Sequence, residues 1–310
     1  MTGNSKDNNT VNHNINLLYK FNLSDKNSFE VINGSTRDIT NLNVLKCINS
    51  GVIVLEKFII SEDYYEKNIH YTDGFEGSTE TKKGLIESKP LEDDIRRFES
   101  YKELIKGSEI LDFGCGRGGF IQLSKKISKR SVGLELNIIN REYLNNIGVQ
   151  CVNTLSELND VKFDLITLNH VFEHLNDPIN ILVELQKYLK DDGIIIIEVP
   201  HARDLLLETF NLESFKNFTL WSEHLILHTR KSLEIFATNS GLQLKNIEGF
   251  QRYPISNHYN WLLNGQPSGH EIFHNLNNDD FHKHYEKLLD SIDQTDTLIG
   301  YFSKKIEEVD

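Results

Sequence analysis

From Glu109 onward, short apolar runs alternate with amphipathic ones. The runs Glu109–Phe113, Ser131–Leu136, Val149–Asn153, Phe163–Asn169 and Gly193–Val199 are of strand length and rich in Ile, Val and Leu, as strands covered on both faces are. The stretches Gly119–Ile127, Asn140–Ile147 and Pro178–Leu189 read as helices, and Asn176-Asp177-Pro178 supplies a cap followed by a first-turn proline. Strand and helix in alternation predict an α/β fold, a parallel sheet with helices on both faces. Asp191-Asp192-Gly193 turns tightly into a strand, Thr229–Ser240 is a helix stopped by Gly241, Leu242–Tyr253 is a strand, Asp279–Ile292 a helix and Thr297–Lys304 a last strand. The region before this repeat differs. Residues 1–14 are Asn- and Ser-rich and read as a disordered tail. Residues 15–60 carry short strands broken by turn residues, a small N-terminal β-hairpin module, and 61–105 read as a helical lid or linker with Tyr64, Tyr65, Tyr71 and Phe75. The α/β domain is then 106–310, with 201–228 as an insertion.

The pattern sets the architecture, and the composition narrows the setting. No apolar run reaches transmembrane length, so no membrane role is expected. The start, MTGNSKDNNT, lacks the pattern of a secretion signal. The three cysteines, Cys47, Cys115 and Cys151, form no disulfide framework, and a cytoplasmic location is expected. The net charge of −13 argues against nucleic acid as the partner, since phosphate binding needs a basic surface.

The chemistry is densest at Ile110-Leu-Asp-Phe-Gly-Cys-Gly-Arg-Gly-Gly-Phe120. Glycines between a strand and a helix allow a sharp turn and let a ligand approach the main chain. Asp112 places a carboxylate beside that ligand, and Glu135, closing the next strand, suits the two hydroxyls of a ribose. Gly114-x-Gly116-x-x-Gly119 also fits a dinucleotide fingerprint, and Glu135 serves an NAD ribose equally well, so this reading stays open. Against it, Asp112 would repel a pyrophosphate and attract an ammonium group.

In this order, ILDFGCGRGGF, VGLEL, FDLITLNHVFEHLNDP and DDGIIIIEVP resemble the class I S-adenosylmethionine-dependent methyltransferases over roughly residues 90–310. The resemblance implies a Rossmann-like, seven-stranded, mostly parallel sheet with an antiparallel last strand, and S-adenosyl-L-methionine as cofactor. It implies that Asp112, Gly114, Cys115 and Gly116 face the methionine part, that Glu135 takes the ribose and Leu136 packs on adenine, and that Asn169 and His170 approach from the fourth strand. The N-terminal module of many relatives carries a zinc ribbon; here Ser50 stands in the Cys-x-x-Cys-Gly pattern, so a metal-free module is expected.

Trp221-Ser222-Glu223-His224-Leu225 resembles an element of sugar methyltransferases in which the histidine is the base and a glutamate orients it. This makes His224 the general base and Glu223 its partner, with His170 and His201 further histidines on the same rim. His170-x-x-Glu173-His174 resembles the divalent-metal element of some O-methyltransferases, but metal-free members carry Glu-His-Leu here too, and no metal is expected. The segment 252–270 mixes aromatic, amide and hydroxyl groups, which suits a polyhydroxylated ligand or an interface loop such as a homodimer would use. The expected function is methyl transfer to a hydroxyl of a small acceptor, a sugar or nucleotide-sugar in surface polysaccharide biosynthesis. The alternatives are C-methylation of a keto-sugar and a catalytically silent cofactor-binding module.

Overall fold

The structure, a computed structural model, describes residues 10–59 and 89–305. The aromatic residues expected in a lid, Tyr64 to Phe75, lie outside the described residues. The N-terminal region contributes strands β1 (Thr10–Val11), β2 (Phe29–Asn33), β3 (Val44–Cys47), β4 (Ile53–Leu55) and β5 (Lys57–Phe58). The α/β region contributes β6 (Glu109–Phe113), β7 (Arg130–Leu134), β8 (Gln150–Val152), β9 (Phe163–Asn169), β10 (Leu189–Pro200), β11 (Ile226–Leu227), β12 (Leu242–Phe250) and β13 (Thr297–Lys304).

The main sheet has seven strands in the order β12-β13-β10-β9-β6-β7-β8. β13 runs antiparallel to both β10 and β12, and the other pairs are parallel. This is the mostly parallel, Rossmann-like sheet expected, with the last strand reversed. β10 lies between β9 and β13, which is why Ile195, Ile196, Ile197 and Val199 are all fully buried and why this run of the sequence does not alternate. Helices Gly119–Ser124, Ile138–Asn146, Pro178–Lys187 and Arg230–Asn239 link the strands.

Several boundaries differ from those expected, for identifiable reasons. β7 stops at Leu134, which leaves Glu135 in the loop beyond it. The next helix begins at Ile138 because the Asn137 side chain accepts hydrogen bonds from the amides of Ile139 and Asn140. Part of the expected tail is ordered: Thr10–Val11 pairs with β5, and Asn12 caps a helix over His13–Lys20. The helix Ile255–Asn264 occupies much of what reads as an open polar segment. Its Asn257, His258, Asn260 and Trp261 are buried. Asn260 Nδ2 donates to the carbonyls of Gln266 and Pro267, and Trp261 packs on Phe215 and Phe218. Those polar and aromatic groups are engaged within the fold, while Tyr253 and Tyr259 of the same segment are exposed.

The N-terminal residues are not packed apart from the α/β region. β11, within the 201–228 stretch, completes a four-stranded sheet in the order β11-β4-β3-β2. Ile15, Leu17, Leu18, Val52 and Val54 share one buried cluster with Leu111, Ile166, Ile197, Ile226 and Phe236. Cys115 and Cys151, distant in sequence, are neighbours in space with Sγ atoms 3.8 Å apart, and both are free thiols. No helix among the described residues is long and apolar enough to cross a membrane.

Buried Asp204 caps the short helix Leu205–Glu208 by accepting from the Leu206 amide at 2.7 Å. Burial, reinforced by the charge of Asp296, pushes its carboxyl up to about 8. A folded-state value above the unfolded one means the folded chain holds this proton more tightly. The associated stability is complete below about pH 4 and is lost as pH rises to about 8. Asp204→Asn keeps an oxygen for the cap and cannot ionise. Its Tm measured against wild type is therefore expected to gain several degrees between pH 5 and pH 8.5; an offset that does not change with pH would contradict this.

Candidate functional site

The carboxyl ends of β6, β7, β9 and β10 form one rim, and the candidate residues gather there. The glycine loop leaves β6 with Gly114 at φ +73°, where a Cβ would stand 2.6 Å from Val171 Cγ2. Gly116 also has positive φ, +52°, but a Cβ there would meet nothing within 4 Å, so this side of the loop is open. Glu135 braces the loop: Oε2 accepts from the Gly116 amide and Oε1 from the Asn137 amide, each at 2.7 Å. Carboxylate oxygens have lone pairs left after one bond each, so Glu135 can still accept two hydroxyls. Leu136 beside it is 39% exposed, an apolar surface suited to a ring face. Arg141 Nη1 bonds the carbonyls of Glu135 and Leu136 and Asn153 Oδ1, fixing this turn.

Asp112 is buried at the end of β6. Its Oδ1 accepts from Thr167 Oγ1 at 2.7 Å and Asn169 Nδ2 at 3.1 Å. Burial pushes its carboxyl up to about 6, against the opposing pull of Thr167 and Arg97. Asn169 Oδ1 is buried without a hydrogen-bond partner. An ionised Asp112 beside an unsatisfied carbonyl oxygen suits a cationic donor such as an ammonium group. The expected set of Asp112, Gly114, Gly116, Glu135, Leu136 and Asn169 is thus brought to one place. Cys115 departs from it: a Cβ on Gly133 would stand 2.5 Å from Cys115 Sγ, so the thiol packs on β7 beside Cys151. Cys115 contributes backbone to the loop while its side chain is turned into the sheet.

The second half of the site is built on two fully buried carboxylates, Glu173 and Glu198. His170 bridges them, with Nδ1 3.3 Å from Glu173 Oε1 and Nε2 3.2 Å from Glu198 Oε1. It does so from a left-handed backbone conformation, φ +53°, uncommon for a side-chain-bearing residue. Burial pulls the imidazole down, but its bonds to the two glutamates outweigh this and hold it above its ordinary value. Glu198 also receives Arg97 Nη2 at 2.7 Å and Arg96 Nη2 at 2.6 Å, and Asp93 joins Arg96 to Arg252. Burial alone would raise the Glu198 carboxyl; the charge of Arg97 and the bond from His170 drive it well below the carboxylate range.

Glu173 turns toward the other histidines. Ligand atoms of Glu173, His174 and His224 lie within 4.8 Å of one another, and the rings of His174 and His224 meet edge to face at 5.2 Å. Burial and then the neighbouring His174 pull the His224 imidazole down to about 4, so it is neutral at ordinary pH. Burial tends to raise Glu173, yet the hydrogen bond from His170 and the charges of His174 and His170 hold it at about 2. Glu173 is therefore a carboxylate beside His224, and Glu223, one residue before it in sequence, is buried as well.

The two segments carrying these groups are tied together by the N-terminal region. The Leu225 amide donates to the Glu173 carbonyl at 2.9 Å. Asn12 Nδ2 donates to the carbonyls of Leu225 at 2.7 Å and Leu55 at 3.0 Å, and Asn14 Nδ2 to that of Leu175 at 3.1 Å. Asp38 accepts from the Ser222 amide and hydroxyl, and the Arg37 guanidinium lies 4.7 Å from the Trp221 ring centroid. His201 is held elsewhere: it is buried, with Nδ1 donating to the Thr295 carbonyl at 2.9 Å and Nε2 3.6 Å from Asp293. Sequence reasoning passed over Glu198, Arg96, Arg97, Asn12 and Asn14. A glutamate inside Ile-Ile-Ile-Ile-Glu-Val-Pro was the signal for the first of these, since a charge in a buried strand needs a partner.

Comparison with known proteins gives the family. A family described as a methyltransferase domain matches residues 86–246, just over half of the chain. An uncharacterized protein of Methanocaldococcus jannaschii is 30% identical over 132 residues, 42% of this chain and 54% of that protein. The chain thus spans about half the length of that relative. A ubiquinone biosynthesis O-methyltransferase of Coxiella burnetii is 24% identical over 169 residues, 50% of this chain and 72% of that protein. Among solved structures, an S-adenosylmethionine-dependent methyltransferase from Archaeoglobus fulgidus aligns with a TM-score of 0.46 at 21% identity, covering 67% of this chain and 92% of that one. With a strand-end acid, a glycine loop and Glu135 on one rim, and the family matched across them, the chain belongs to the class I S-adenosylmethionine-dependent methyltransferases.

Proposed function

We propose that this chain transfers a methyl group from S-adenosylmethionine to a hydroxyl oxygen of a small acceptor, with a sugar or nucleotide-sugar as the acceptor class. The observation that supports the reading most is that β9 and the turn after it carry both halves of the site. Asn169, bonded to Asp112, lies on the cofactor side, and Glu173 and His174, beside His224, lie on the other. The sugar class rests on the resemblance of Trp221–Leu225 to an element of sugar methyltransferases.

When bound, S-adenosylmethionine supplies a methyl group already activated as a sulfonium. The protein then contributes position and a route for the hydroxyl proton. Asp112 and Asn169 Oδ1 hold the ammonium, Glu135 the ribose hydroxyls, and Leu136 covers an adenine face. The hydroxyl proton leaves at the cluster of His224, His174 and Glu173. The His170–Glu198–Arg97 network keeps Glu173 ionised and in place.

Two measurements test this. Calorimetry with S-adenosylhomocysteine is expected to show affinity falling as pH drops below about 6, where Asp112 takes up its proton and no longer attracts the ammonium. Asp112→Asn is expected to weaken binding by about tenfold or more at pH 8 and to flatten that dependence. Affinity that is flat with pH in wild type would remove Asp112 from the cofactor site. In turnover assays over a panel of sugars and nucleotide-sugars, His224→Ala is expected to slow release of S-adenosylhomocysteine by about 100-fold while binding it as wild type does. Equal turnover by wild type and variant, or methylation of amine acceptors alone, would contradict hydroxyl chemistry at this cluster.

A further inference from the structure

We propose that Glu173, His174 and His224 hold a divalent first-row transition-metal ion. Their ligand atoms already lie within 4.8 Å of one another. Donors about 2.1 Å from a shared ion stand roughly 3–4 Å apart, so side-chain rotations close the remaining distance. Two candidate donor atoms on these side chains are buried without a hydrogen-bond partner. Glu173 Oε2, in a side chain with no exposed surface, has no hydrogen-bond partner, and His224 Nδ1 is likewise buried without one. A polar atom buried unsatisfied costs about 1–3 kcal/mol, and one ion between the two would satisfy both.

The surroundings are those of a ligand set. His170 Nδ1 lies 3.3 Å from Glu173 Oε1 and fixes the orientation of that carboxylate. The backbone carrying the donors is clamped by the bond from the Leu225 amide to the Glu173 carbonyl and by Asn12 and Asn14 of the N-terminal region. Outer partners of this kind set the direction of ligating side chains. Two imidazoles and one carboxylate are borderline donors, suited to Mn²⁺, Fe²⁺, Co²⁺ or Zn²⁺; magnesium and calcium need more oxygen ligands. Three protein donors leave coordination positions open for a substrate oxygen. Among the described residues this is the one group of histidine, cysteine and acidic side chains with such spacing.

The role of the ion rests on the proposed hydroxyl methylation and refines the part His224 plays in it. With its nitrogen on the metal, His224 is a ligand, and the ion acidifies the bound acceptor hydroxyl. That hydroxyl releases its proton to solvent, its oxygen lone pair forms the new bond to the methyl carbon, and the methyl–sulfur bond breaks with its electrons returning to sulfur.

Tag-free full-length chain, stripped with EDTA and dialysed, would be titrated with Co²⁺ by calorimetry and visible absorption, with S-adenosylhomocysteine binding measured on the same samples. One Co²⁺ per chain is expected, with a d–d band. Affinity is expected to fall at least tenfold in His174→Ala and in His224→Ala, each with wild-type circular dichroism. Absence of saturable Co²⁺ binding in wild type, or wild-type affinity in the two variants, would overturn the site. Co²⁺ binding without S-adenosylhomocysteine binding would support the metal site while sinking the methyl-transfer reading. The reverse would sink the metal site alone.

Discussion

Two carboxylates with no exposed surface, Glu198 near the end of β10 and Glu173 in the turn that follows the adjacent parallel strand β9, organise much of the site. A buried charge without partners is strongly unfavourable. Glu198 is met by Arg96, Arg97 and His170, and Glu173 by His170 with His174 close by. Meeting that demand draws the helix Glu92–Ser100 across the rim of the sheet, where Asp93, Arg96 and Arg252 extend the network to the end of β12. His170 makes its two contacts from a left-handed conformation.

The N-terminal region acts on the same centre from the opposite direction. Its strands accept β11 as a fourth member, and its Asn12, Asn14, Arg37 and Asp38 grip the segments on either side of His174 and His224. In the proposed reaction the site therefore depends on two sheets. The large one presents the rim with Asp112 and Glu135, and the small one fixes the turn with His224 against the turn after β9. This explains why residues that read as a separate module share a core with the α/β region.

What could be read from the sequence follows from range. β6, β9 and β13 run as the apolar pattern marks them, and Asp112 and Glu135 are marked by short motifs contiguous in sequence, although their hydrogen bonds reach distant residues. The helix after β7 starts early because one side chain, Asn137, decides it. The role of 201–228 was hidden because β11 pairs with β4 from the far end of the chain. The segment 252–270 reads as a ligand loop by composition, yet tertiary packing turns Ile255–Asn264 into a helix that buries several of those groups. Within the site, Glu173 lies beside His224 in space although some fifty residues separate them, a pairing that spacing along the chain cannot show.

The central claim is that one rim binds the cofactor between Asp112 and Glu135 and turns its sulfur toward Glu173, His174 and His224. A crystal structure of the full chain with S-adenosylhomocysteine tests it most directly. The account predicts the ammonium on Asp112 and Asn169, the ribose hydroxyls on Glu135, and the sulfur facing the histidine cluster. A ligand bound with its sulfur directed away from that cluster, or lodged off the glycine loop, would contradict it.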